Sequence, residues 1–179
     1  MNAAEALRAG EAVILPTDTV YGLCALPGRE DLLYEIKGRD RSKPIALIAA
    51  DVESLLACIP GLDTSKVVRG PYTFVLSHPE GGTIGVRVPD LPPAAAEVLA
   101  QTGPVLATSA NLSGGPDPKR VDEVPSSVLS RVGAVVDAGE LPGVPSTVID
   151  FTGGEPRVIR EGAVSGDEAL ARVREALAS

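Results

Sequence analysis

The sequence predicts a single α/β domain on a mixed parallel and antiparallel sheet flanked by helices. Three observations carry this reading. Apolar runs of strand length interleave with helical periodicity along the chain. Two of the runs, YTFVLS and TIGVRV, are separated only by HPEGG, a turn-rich stretch that closes an antiparallel hairpin. No internal repeat and no low-complexity linker divides the 179 residues, which are read as one domain, 1–179.

The elements follow in order. Asn2 caps a short first helix, with Glu5 three residues on and Gly10 past its end. AVIL (12–15) is a buried strand, and Pro16 turns the chain into a second extended segment. In REDLLYEIKGR, Leu32, Leu33 and Ile36 share one helical face, and Gly38 ends the helix. PIALIAA (44–50) is a strand, and DVESLLACI is a helix capped by Asp51. After the hairpin, PPAAAEVLAQTG has Pro in its first turn and Gly103 just past its end. PVLATS is a strand feeding the polar loop SANLSGGPDPKR. A helix around 125–131 and strands AVVD, STVID and PRVIR follow. The final helix, about 166–178, has Ser165 as cap and Glu168 as its capping-box partner.

Aromatics make up 3% of the chain, so the core is built from Val, Leu, Ile and Ala. Lys and Arg number 16 against 24 Asp and Glu, a net charge of -8. That sign opposes bulk attraction to nucleic acid or membrane, but a local basic patch still suits a compact anion. Cys24 and Cys58 have no metal-ligand spacing and are read as small buried thiols. The N-terminus lacks a basic region followed by a long apolar run, and no stretch is long enough to span a membrane. A soluble cytoplasmic protein is expected.

KGRDRSK (37–43) places four cations in seven residues. Lys37, Arg39, Arg41 and Lys43 repel one another, with Asp40 as partial relief. A solvated loop explains such a run. A polyphosphate explains it too, because phosphate oxygens accept charge-assisted bonds from Arg and Lys. Neither a Walker-type loop nor a paired-glycine dinucleotide loop is present, so a nucleotide site would be of another kind. Polar clusters PTDT, TSANLSG and PSTVID fall at strand ends, where open α/β sheets build sites and where turn residues also occur for their own reasons. In TIGVRVPD, strand alternation puts Thr83, Gly85 and Arg87 on one face. A charged Arg in an apolar strand needs a partner: either a structural ion pair or a substrate carboxylate. The one histidine, His78, sits in the hairpin turn, so no Ser-His-Asp set can be assembled, and no zinc-type cluster exists.

PTDTVYGL, KGRDRSKP, GPYTFVL, IGVRVPD, TSANLSG, PSTVID and VIREG occur in the order found in the threonylcarbamoyl-AMP synthase family, with its YrdC-like domain. The chain resembles that family from about residue 10 to 165. The resemblance implies a twisted mixed sheet with a concave cationic face. It implies an enzyme, a nucleotidyltransferase joining L-threonine, bicarbonate and ATP into L-threonylcarbamoyl-AMP and diphosphate. The product would feed the transferase machinery that modifies adenosine in tRNA. Position by position, Lys37, Arg39, Lys43, Thr83, Asn111, Lys119 and Arg160 match ATP contacts. Thr19, Arg87, Ser109 and Ser146 match threonine contacts. No acid or base is assigned, since a carbamate formed from threonine and carbon dioxide needs only positioning and charge neutralisation. Mg²⁺ is expected with ATP, without an assigned protein ligand. The sequence departs from the family at Cys24, where glycine is common, and at Ile48, where some members carry a histidine. Two other readings stand beside this one. The first is a module binding double-stranded RNA or tRNA without synthase activity. The second is a carbamoyl-transfer enzyme, whose acylphosphatase and zinc-finger regions this chain lacks.

Overall fold

The computed structural model describes residues 1–178. In chain order the elements are α1 (Ala3–Arg8), β1 (Val13–Pro16), β2 (Tyr21–Ala25), α2 (Glu30–Lys37), β3 (Ala46–Ile48), α3 (Val52–Cys58), β4 (Tyr72–Ser77) and β5 (Thr83–Arg87). There follow α4 (Pro93–Thr102), β6 (Val105–Ser109), a 3-10 turn (Val121–Glu123), α5 (Ser126–Leu129), β7 (Ala134–Val135), β8 (Thr147–Asp150), β9 (Arg157–Arg160) and α6 (Gly166–Ala178). The strands form one sheet in the order β7-β1-β2-β6-β3-β5-β4-β8-β9. Pairs β1–β7, β3–β5 and β4–β8 are parallel, and the rest are antiparallel. The sheet is therefore mixed, with helices on both faces.

Local chemistry explains most boundaries. Asn2 and Glu5 form a reciprocal capping box on α1. Asp51 accepts from Ser54 N at the start of α3. Ser165 Oγ accepts from Glu168 N at the start of α6, 3.2 Å. Gly38 ends α2 in the left-handed conformation at φ 61°, which a side chain enters only with strain.

The structure also corrects expectations. Pro16 closes β1 instead of following it, because a last residue loses little by lacking an N–H. β3 has three residues instead of seven: Pro44 cannot donate to the ladder at its start, and past Ile48 the Ala49 N–H makes one more bond, to Arg87 O at 3.0 Å. The segment at 134–137 pairs over two residues only, at the edge of the sheet. Cys24 is buried as expected, but Cys58 is exposed, at the end of α3.

Two apolar cores lie on opposite faces of the sheet. On one, Tyr21, Leu23, Leu47, Phe74, Val86 and Ile149 meet Leu33 and Ile36 of α2, Leu55 of α3, Val128 of α5 and Val173 of α6. On the other, Val13, Leu15, Cys24, Ile48 and Val105 meet α1 and α4. These two helices cover only the part of the second face near β1, β2, β6 and β3, leaving the face over β5, β4 and β8 open. Among the described residues no helix is long and apolar enough to cross a membrane.

Candidate active site

The open part of the second face is the floor of a cleft. Ala107, Ala46, Gly85 and Val75 stand opposite one another across β6, β3, β5 and β4. All four line the cleft, and their small side chains keep its floor low. The enclosed volume is about 260 Å³. The walls come from the strand-end segments: the β1–β2 turn, Arg39 and Pro44 after α2, Thr108 and Ser109 ending β6, Asp117, Ser146 and Arg160.

Three guanidiniums converge there. Arg87, on the floor, is 8% exposed. Its Nη2 donates to Asp18 Oδ1 at 2.8 Å and to Thr19 Oγ1 at 3.4 Å. Arg39 Nη1 donates to Thr108 Oγ1 at 2.9 Å and Nη2 to the Pro44 carbonyl at 3.2 Å. Arg160 Nη2 donates to the Ser146 carbonyl at 2.8 Å. Among the described residues, the buried polar side-chain atoms without a partner are Arg39 Nε and Arg87 Nε, both belonging to cleft cations. An unpaired buried donor is costly, and a water, an ion or a functional role accounts for those that native proteins keep. Burial lowers Arg87, Asp18 opposes that, and Arg160 adds repulsion. Burial raises the Asp18 carboxyl against the pull of Arg87.

Hydroxyl groups surround these cations. Thr17 and Thr19 are buried with their oxygens 2.9 Å apart. Ser146 Oγ lies 2.7 Å from Thr73 Oγ1. Thr83, Thr108 and Ser109 complete the polar wall.

Of the residues singled out in the sequence, Thr19, Arg39, Thr83, Arg87, Ser109, Ser146 and Arg160 line this cleft. Four stand outside its wall. Lys37 is buried at the C-terminus of α2. Its ammonium meets Ser109 O at 2.6 Å, Ser109 Oγ at 3.2 Å, Asn111 O at 3.0 Å and, in a closer contact, Asn111 Oδ1. Three protons thus face four acceptors, and none is left for the cleft. Burial and then the neighbouring Arg39 bring this group down to about 8. Asn111 Nδ2 donates to Gly115 O at 2.6 Å and to Asp117 Oδ1 at 3.3 Å. Lys37 and Asn111 therefore clasp the loop after β6 and present Ser109. Lys43 is exposed, and Lys119 pairs with Glu140 at 2.7 Å. Arg41 points away onto Asp31, so this carboxylate adds to the relief that Asp40 gives Lys43. His78 stays in the hairpin turn, accepting from Glu80 N at 3.1 Å.

Sequence reasoning singled out Thr19 but not Thr17 or Asp18, although all three lie in PTDT. The two-residue spacing of Thr17 and Thr19 was the available signal. Thr73 carries no local signal, since an alternating strand residue becomes functional only through its neighbours, whereas Thr108 and Asp117 lie in the polar stretch TSANLSGGPDPKR without standing out from its turn residues.

Fold and cleft define an α/β protein with a guanidinium- and hydroxyl-lined pocket on the open part of its sheet. The Sua5/YciO/YrdC family model, described as telomere recombination, matches residues 5–162, and the chain belongs to that family. A relative from Mycobacterium tuberculosis is 34% identical over 97% of this chain and 88% of its own length. The threonylcarbamoyl-AMP synthase of Bacillus subtilis is 32% identical over 93% of this chain, which spans 54% of that protein. The solved structure of P. abyssi Sua5 complexed with L-threonine superposes with a TM-score of 0.83 at 30% identity, covering 96% of this chain and 56% of that one.

Proposed function

We propose that the chain makes L-threonylcarbamoyl-AMP from L-threonine, bicarbonate and ATP, releasing diphosphate. The observation that carries this is the placement of Arg39, Arg87 and Arg160 in one hydroxyl-lined cleft. A relative of known structure that aligns over 96% of the chain is described in complex with L-threonine, which supports the reading.

In this reading, Arg87 with Thr19 and Ser146 receives the amino acid, and Arg39, Arg160 and Thr83 receive the nucleotide. Lys43 and Lys119 serve the phosphates from the rim, with Lys119 first leaving Glu140. Bicarbonate takes up a proton and loses water to give carbon dioxide. The threonine amine adds to it, forming the N–C bond and releasing a proton to solvent, to give a carbamate. A carbamate oxygen attacks the α-phosphorus, a new P–O bond forms, and the bond to the bridging oxygen of diphosphate breaks. No proton transfer from a histidine is required. The side chains hold the reactants in line and neutralise charge as it shifts to the leaving diphosphate.

Mg²⁺ belongs with ATP as part of the substrate. Among the described residues no group of three or more His, Cys, Asp and Glu is arranged to hold a metal. Asp117 is the carboxylate best placed to meet a phosphate-bound ion, directly or through water. The product is an activated mixed anhydride, so a transferase that carries the threonylcarbamoyl group to tRNA would consume it.

The test is diphosphate release from ATP and Mg²⁺ with threonine and bicarbonate each omitted in turn. Release that requires both supports the proposal. Equal release without threonine overturns it.

A further inference from the structure

We infer that Asp18 is a positioning residue that sets the Arg87 guanidinium for the amino-acid carboxylate without touching substrate itself. The inference rests on the threonine-binding reading of the cleft.

Asp18 sits between two cleft-lining residues, Thr17 and Thr19, yet is not part of the wall. The turn that carries it is built locally. Thr17 Oγ1 accepts from Thr19 N at 3.1 Å and Val20 N at 3.2 Å, and donates to Val20 O at 2.7 Å. This fixes the backbone from which Asp18 projects. Its two oxygens are then held separately: Oδ1 takes Arg87 Nη2 at 2.8 Å, and Oδ2 takes Asp90 N at 3.1 Å. The carboxylate thus ties the β1–β2 turn both to the last residue of β5 and to the segment beyond it.

Consider what this does for Arg87. Among the described residues its side-chain hydrogen bonds to protein all leave from Nη2, and its Nε is buried without a partner. A guanidinium has five N–H donors in a planar fork. Asp18 fixes the fork by one corner and leaves the remaining donors uncommitted. A carboxylate arriving there meets a preorganised group and does not have to order a long side chain. Asp18 also offsets the repulsion that Arg160 exerts on Arg87. With that charge removed, Arg87 and Arg160 repel each other in a cleft that also holds Arg39, and nothing anionic holds the buried one.

The experiment measures threonine and ATP affinity by calorimetry for wild type, Asp18→Asn, Arg87→Lys and the double variant. The assay of diphosphate release supplies KM for each substrate. Asp18→Asn is expected to weaken threonine about tenfold or more, the scale of one charge-assisted hydrogen bond, and to change ATP affinity less than about twofold. In the Arg87→Lys background the same change should add less than about twofold, because Asp18 acts through Arg87. Wild-type threonine affinity in Asp18→Asn overturns the inference. So does equal weakening of both ligands, which marks mere support of the fold, or a full loss that persists in the Arg87→Lys background. Should Asp18→Asn fail to fold, Asp18→Glu keeps the ion pair but shifts the fork by one methylene. The same selective threonine loss is expected of it, and wild-type binding overturns the inference. A wild-type protein that binds no threonine would instead sink the reading of the cleft, a result read before any variant is compared.

Discussion

Arg39 and Lys43 come from one cationic run, yet the fold gives them different surroundings. Arg39 lies in the cleft with a buried, unpartnered Nε, whereas Lys43 is exposed outside the wall. Arg39→Ala should weaken ATP binding by about 1.5–3 kcal/mol, the scale of a charged hydrogen bond. Lys43→Ala should cost less than about 1 kcal/mol, as exposed charges do. Calorimetry decides, and equal losses would mean that the 37–43 segment folds over the nucleotide when it binds. Arg87 needs a different treatment, because its two candidate roles prove compatible: it holds a buried ion pair with Asp18 and also lines the cleft. Arg87→Lys should therefore lose both stability and threonine affinity, since a point charge cannot reproduce the fork for both partners. Cys24 gives a pH test. It is buried in the apolar cluster under α1 and α4, and burial pushes its thiol up to about 12 from 9.0. The folded chain thus keeps a proton that the unfolded chain gives up. The stability this contributes is intact below pH 9.0 and is lost as pH rises from there toward about 12. Relative to Cys24→Ala, which cannot titrate, the wild type should lose stability between pH 8 and pH 10.5 in urea midpoints, and parallel behaviour would refute the assignment.

At the scale of elements, Gly38 shows how the helix–loop junction serves the site. Its φ of 61° and ψ of 39° end α2 between Lys37, which faces the β6 loop, and Arg39, which faces the cleft. No atom lies within 4 Å of where a Cβ would sit, so Gly38→Ala meets only the conformational penalty. That change should cost about 1 kcal/mol of stability by urea unfolding and also weaken ATP binding, because the backbone separating the two cations shifts. Unchanged ATP affinity would show that Arg39 adapts. The same junction shows why much of the fold was legible. Gly38, Gly103, Asn2 and Asp51 are punctuation whose physics is local, and the helices they bound match the structure closely. The hairpin of β4 and β5 was readable for the same reason, its ends Ser77 and Thr83 pairing across a short turn. What did not show was long-range. The neighbours of β6 are β2 and β3, and no local pattern says so. Asp18 meets Arg87 across 69 positions of sequence, so the partner that a strand arginine demands could be required but not named. The resemblance implies an ATP contact for Lys37, but the fold buries its ammonium among Ser109 and Asn111 oxygens, and that depends on where the loop after β6 returns.

For the whole molecule, the net charge of -8 coexists with a cationic cleft, so sign and location of charge point to different partners. A duplex RNA approaches as a rod and meets the long-range field first, which repels it. Tight duplex binding also requires several phosphates to be neutralised by exposed cations. Here Arg87 is 8% exposed at the cleft floor, Arg41 is paired with Asp31, and Lys119 is paired with Glu140. ATP and threonine are small enough to reach what a duplex cannot. Binding of double-stranded RNA at physiological salt should thus be no tighter than the non-specific range, about 10⁻⁴ to 10⁻⁶ M. Raising salt should weaken ATP binding modestly, because the cleft cations are partly shielded from counterions by the protein. The measurement is fluorescence polarisation of a labelled RNA duplex over a salt series, with and without ATP. Submicromolar affinity with a steep salt slope, reversed by ATP, would mean that the cleft face opens to nucleic acid, and the RNA-binding reading would displace the synthase.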